Sequence, residues 1–157
     1  MGEIWKGAPV AAALCASLTD RISALRAAGV EPALAILRAG ERGDDIAYES
    51  GAVKRCEKLG IAVRRARLPA GCTKEEVLKA IRQVNGDDGI HGCLLLRPLA
   101  DRAAEEAACE TLLPEKDVDG ITPGSPAGVF AGGGRGYPPR TALARREGLD
   151  YYGWVPA

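Results

Sequence analysis

The side chains able to do chemistry gather in three short segments, residues 48–60 (YESGAVKRCEKLG), 91–99 (HGCLLLRPL) and 114–120 (PEKDVDG). On residue type alone several readings stay open. Asp119 precedes Gly120, so it is either an Asx-turn residue or a carboxylate free to meet a ligand. Tyr48 is either packing or an aromatic face for binding, and Asp117 reads as a loop-stabilising or solvated residue. Cys56 follows Ala52 by one helical turn, but no base accompanies it, so a nucleophilic role lacks support. His91 is the sole histidine and has no second imidazole for a metal, which makes packing its simpler role. Residues 132–136 (GGGRG) do not match GxGxxG and follow no clear strand, so they read as a flexible loop.

The elements that must position these residues follow from composition and periodicity. The chain has 157 residues, 46% hydrophobic and 27% charged, near globular averages. That length fits one domain burying roughly 70% of its unfolded surface. The 21 basic and 21 acidic residues cancel, which argues against nucleic acid or an anionic membrane as partner and for a small ligand. Five cysteines with no CxxC pair indicate neither a disulfide framework nor a zinc site; they read as reduced thiols of a cytoplasmic protein. The apolar run near the start has helical spacing and reads as a helix rather than a signal peptide, and no stretch approaches the roughly 20 apolar residues that span a bilayer.

Val10, Leu14, Leu18, Ile22 and Leu25 form a helical stripe that stops before Gly29. Residues 32–38 read as a buried strand, a helix capped by Asp44 or Asp45 runs to Lys58 and Gly60, and residues 61–68 alternate as a half-buried strand. Thr73 and Glu76 form a capping box for a helix bearing Val77, Ile81 and Val84. Residues 90–96 read as a strand closed by Pro98, residues 101–113 as a helix, 120–139 as mostly loop, and 142–152 as a last helix. Alternating strands and helices predict a single three-layer α/β domain, a small mostly parallel sheet flanked by helices. In such sheets ligands sit beyond the carboxyl ends of the strands, here after Arg38, Leu68 and Leu96.

In order and spacing the three segments resemble the folate-binding, amino-terminal catalytic domain of the bifunctional methylenetetrahydrofolate dehydrogenase/methenyltetrahydrofolate cyclohydrolase family. The resemblance runs over about residues 4–152 of a domain taken as 1–157, and PEKDVDG is its most specific part. It implies one-carbon metabolism: oxidation of 5,10-methylenetetrahydrofolate by hydride transfer to NAD(P), then hydrolysis of the methenyl cation to 10-formyltetrahydrofolate. It assigns Asp119 to the amino-pyrimidine edge of the pterin and Tyr48 to its flat face, with Leu96 and Pro98 beside them.

Two departures qualify what the resemblance implies. The family pattern carries its catalytic lysine four residues after the tyrosine and a second lysine two further on; here Ala52 fills the first slot and Lys54 the second. At about 100° per residue Lys54 points roughly 200° away from Ala52, so it cannot replace the missing amine. Leu96 also stands where the family has a glutamine that supports the lysine. Arg55 or Arg97 could supply positive charge instead, but arginine is a poor proton shuttle, so impaired chemistry is expected. The family's Rossmann domain is not found in the sequence, so no nucleotide site is expected; dehydrogenation would then need a separate Rossmann-domain chain, and the alternatives are a folate-binding domain without catalysis or a fragment of a split or truncated enzyme.

Overall fold

The computed structural model describes residues 4–132 and 136–154. Three strands, β1 (Ala33–Ala39), β2 (Ala62–Leu68) and β3 (Gly92–Leu95), form a parallel sheet in the order β2-β1-β3. The central place of β1 follows from its composition: Ala35, Ile36 and Leu37 are buried on both faces, as a strand covered from two sides requires. β2 lies at an edge and keeps the polar alternation that Arg65 and Arg67 impose.

Helices cover both faces. α3 (Lys74–Gly86) and α4 (Arg102–Thr111) set Val77, Ile81, Val84, Ala104, Ala108 and Leu112 against Ala35, Leu37, Cys93 and Leu95. On the other face α2 (Gly43–Leu59) packs Val53 and Ala52 against Ile36, Leu94 and Leu96. The three-layer architecture is therefore the predicted one. The capping box forms as read, with the Glu76 amide donating to the Thr73 hydroxyl and the Thr73 amide to the Glu76 carboxylate.

Several elements differ from the sequence reading. The residue at the N-cap of α2 is Arg42, not Asp44 or Asp45, which lie inside the first turn where the helix dipole favours anions. Within the expected 120–139 loop a short helix, α5 (Gly124–Phe130), forms because Thr122 and Ser125 hydrogen-bond locally. The helix α1 (Gly7–Ala27) is present, but its stripe is only partly covered: Val10 and Ile22 are buried, while Leu14 and Leu25 are exposed. The last helix, α6 (Arg140–Tyr151), packs near α1, and Trp5 just before α1 stacks on Tyr152 just after α6, ring centroids 5.2 Å apart. The glycine-rich 132–136 segment lies mostly outside the described residues. No helix among the described residues is long and apolar enough to cross a membrane.

One ion-pair cluster fixes α2 over the strand ends. Glu49, next to Tyr48 and buried, accepts from Nε of Arg38 at 2.7 Å and from Arg67 at 2.9 Å, with Arg65 at 3.8 Å. Arg38, itself buried at the end of β1, also donates to the carbonyl of Gly40. Burial alone would raise the Glu49 carboxyl, but the hydrogen bonds and charges of Arg38 and Arg67 outweigh it and hold it below the usual carboxylate range. Removing the one anion leaves a buried guanidinium uncompensated, so Glu49→Gln is expected to cost about 3 kcal/mol, read as a lowered urea midpoint. A midpoint equal to that of the unsubstituted chain would contradict this anchoring role.

Candidate functional site

The segment after α4 is built against the open edge of β3. The amide of Cys93 donates to the carbonyl of Lys116 at 2.6 Å, and Cys93 and Asp117 form an isolated parallel bridge. Gly92 permits this approach, since a Cβ there would lie 2.4 Å from Cγ1 of Val118. The ammonium of Lys116 donates to the carbonyls of Val84, Asn85 and Asp87, which satisfies the open end of α3. Asn85 joins in by donating to the Thr111 carbonyl and accepting from the Leu113 amide.

Asp117 turns the chain. Its fully buried carboxylate accepts from the Ser125 hydroxyl at 2.7 Å, the Thr122 amide at 2.8 Å and the Ile121 amide at 3.1 Å. Burial by itself raises this carboxyl; the hydrogen bonds from Ser125, Thr122 and Ile121 more than offset it, so it titrates below the usual range. Gly120, at φ 70°, completes the turn, and a Cβ there would lie 2.8 Å from the carbonyl oxygen of Tyr137. Asp119 is thereby held at the rim, and its carboxylate accepts no hydrogen bond from any described residue.

Asp119 and Tyr48 face the same cleft of about 290 Å³ beyond the ends of the strands. Asp45, Arg42, Leu96 and Arg97 also line it. Tyr48 is 60% exposed, so a ring face is open to a ligand. A second hollow of about 440 Å³ adjoins at Tyr48 and contains Ala52 and Arg55. Ala52 and Arg55 thus share the tyrosine's neighbourhood. Lys54 does not join them: it is exposed and lines neither hollow. Arg97 reaches the cleft but is paired with Glu105 at 3.4 Å, and Pro98 contributes its carbonyl to Arg42 at 3.5 Å rather than a cleft wall.

The remaining candidates take structural roles. His91 accepts the Ala33 amide through Nδ1 at 3.3 Å. Burial, then the charge of Glu57, pushes the Cys56 thiol up, which opposes nucleophilic use. Among the described residues no group of acidic, histidine or cysteine side chains is placed to hold a metal. The turn bearing Gly40 and Gly43 before α2 does not fit a phosphate, because it runs into Asp44 and Asp45, whose charges oppose an anion there. A separate apolar groove of about 430 Å³ between α1 and α6 lies away from the strand ends.

Sequence reading missed Asp45 and Arg42 as cleft residues. Asp45 resembled a cap, and nothing singled out Arg42; only the fold brings both to the cleft that Asp119 lines.

Comparison with known proteins gives a consistent set of matches. The family model for the tetrahydrofolate dehydrogenase/cyclohydrolase catalytic domain matches residues 5–119. The bifunctional protein FolD of Alkaliphilus oremlandii is 40% identical over 152 residues, covering 97% of this chain and 53% of that protein. FolD of Clostridioides difficile is 39% identical over 96% of this chain and 53% of its own length. Among solved structures, the Campylobacter jejuni bifunctional methylenetetrahydrofolate dehydrogenase/cyclohydrolase superposes with a TM-score of 0.91 at 28% identity, covering 96% of this chain and 54% of the other. The Trypanosoma brucei enzyme, solved with NADP cofactor and inhibitor, gives a TM-score of 0.86 at 26% identity, over 97% and 52%. The chain spans about half the length of the curated relatives it matches.

The Asp117 network generates a pH signature. Because its folded-state pKa is depressed, its stabilisation is present above the unfolded-state value and disappears as pH falls through the folded-state one. Asp117→Asn is expected to lose about 2 kcal/mol at neutral pH by denaturant titration, with the deficit shrinking toward acid pH. A deficit constant across that range would contradict the ionised carboxylate as its source.

Proposed function

Given that the chain belongs to the tetrahydrofolate dehydrogenase/cyclohydrolase family, we propose that the cleft between Tyr48 and Asp119 binds a reduced folate carrying a one-carbon unit. The observation that carries this reading is the convergence of that aromatic ring and that unpaired carboxylate on one hollow of about 290 Å³, at the low end of ligand-pocket size. Asp119 accepts paired hydrogen bonds from the amino-pyrimidine edge of the pterin. Tyr48 stacks on the flat ring, and Leu96 gives the apolar floor.

The reaction class is that of the family: methylenetetrahydrofolate dehydrogenation and methenyltetrahydrofolate hydrolysis. Each needs the one-carbon bridge held still, and hydrolysis needs a proton moved as water adds. Ala52 offers no amine for that transfer, while Arg55 and Arg97 stabilise charge but do not shuttle protons. Hydrolysis is therefore slow, and dehydrogenation depends on a dinucleotide, in keeping with the NADP cofactor in the Trypanosoma brucei structure. Ala52 also favours a second reading, a folate-binding domain without turnover.

Purified chain mixed with methenyltetrahydrofolate separates the two: hydrolysis above the buffer rate supports an enzyme, and binding without hydrolysis supports the second reading. Asp119→Ala is expected to weaken folate binding at least tenfold, about 1.4 kcal/mol, in calorimetric titration. Ala52→Lys is expected to raise the hydrolysis rate about a hundredfold or more, the usual range for a positioned proton-transfer group. An unchanged rate in a folded variant that still binds folate would count against the missing amine as the defect.

A further inference from the structure

The cleft holds a second carboxylate to which the family resemblance gives no role. Asp45 projects from the first turn of α2, is 9% exposed, lines the hollow together with Asp119, and accepts no hydrogen bond from any described residue. Its nearest cation is Arg42 at 3.6 Å. That guanidinium lies closer to Asp44, at 2.6 Å, and also reaches the carbonyl of Pro98, so one positive charge is divided between two carboxylates. Arg97, the other cation lining the cleft, is matched by Glu105. Two cations, Arg42 and Arg97, therefore stand against four anions, Asp44, Asp45, Asp119 and Glu105, an excess of two negative charges. The arginines around Glu49 belong to the central strand β1 and the edge strand β2, are taken up by that carboxylate, and line no part of this hollow. Where the family has a lysine there is Ala52, so its counter-charge is also gone.

We infer that Asp45 makes this cleft selective for the folate form with a cationic one-carbon bridge, 5,10-methenyltetrahydrofolate, over reduced folates of similar size that lack that positive charge. The inference rests on the folate reading. The methenyl bridge spreads one positive charge over N5 and N10, and a poorly neutralised, largely buried carboxylate in the same hollow lowers the energy of that cation far more than water-exposed charge would. A folate of the same carbon oxidation state without that bridge cation, such as 5-formyltetrahydrofolate, gains nothing from it. Selectivity of this kind acts through charge and not through proton transfer, so it survives the loss of the lysine.

The test is equilibrium binding of 5,10-methenyltetrahydrofolate and 5-formyltetrahydrofolate to the whole chain, in mildly acidic buffer where the methenyl form persists. The unsubstituted chain is expected to prefer the methenyl cation about tenfold, and added salt to reduce that preference. Asp45→Asn brings the ratio close to one while 5-formyltetrahydrofolate affinity stays within about twofold, and Asp45→Glu keeps the preference. An unchanged ratio in a folded Asp45→Asn variant that still binds both ligands overturns the role of Asp45 and leaves the folate site standing. Failure of the unsubstituted chain to bind either ligand overturns the folate reading, and this inference with it.

Discussion

The buried carboxylate of Asp117 organises the end of the structure where the cleft lies. It gathers the Ser125 hydroxyl and the amides of Thr122 and Ile121, and so converts a stretch without regular structure into a fixed turn. A charge so buried is tolerated only because hydrogen bonds replace its water. The consequence appears two residues on, where Asp119 is left with no partner among the described residues and faces the hollow. Most of the PEKDVDG segment is scaffold: Lys116 closes α3, Asp117 ties the turn, Val118 packs against the sheet, and Asp119 alone of its acidic residues lines the cleft.

The opposite wall depends on a second buried charge. Glu49 and Arg38 pin α2 above the ends of β1 and β2, one residue from Tyr48. Two elements distant in sequence are thus fixed by separate ionic anchors, and the space between them has a defined width. Ala52 packs with Val53 on the sheet side of α2 and takes no part in either anchor, so the cleft does not depend on the residue at that position.

The fold was largely legible in the sequence where a single periodicity decided it. The Thr73–Glu76 box, the apolar run of β1 and the stripe of α3 needed no tertiary information. Tyr48 and Asp119 were legible through motif spacing, and they do share a cleft. The charged network was not. Glu49 on a helix reads as a solvated residue, and its burial becomes visible only when Arg38, Arg65 and Arg67 arrive from two strands. Asp45 resembled a helix cap for a similar reason, and α5 was hidden in a Gly- and Pro-rich stretch because its start depends on the Thr122–Ser125 contact beside Asp117.

The most direct test of the account is a crystal structure of this chain with a bound reduced folate. The account predicts the pterin between the Tyr48 ring and the Asp119 carboxylate, its amino-pyrimidine edge within hydrogen-bond distance of that carboxylate. A folate seated in the groove between α1 and α6, with Asp119 turned to solvent, would contradict it.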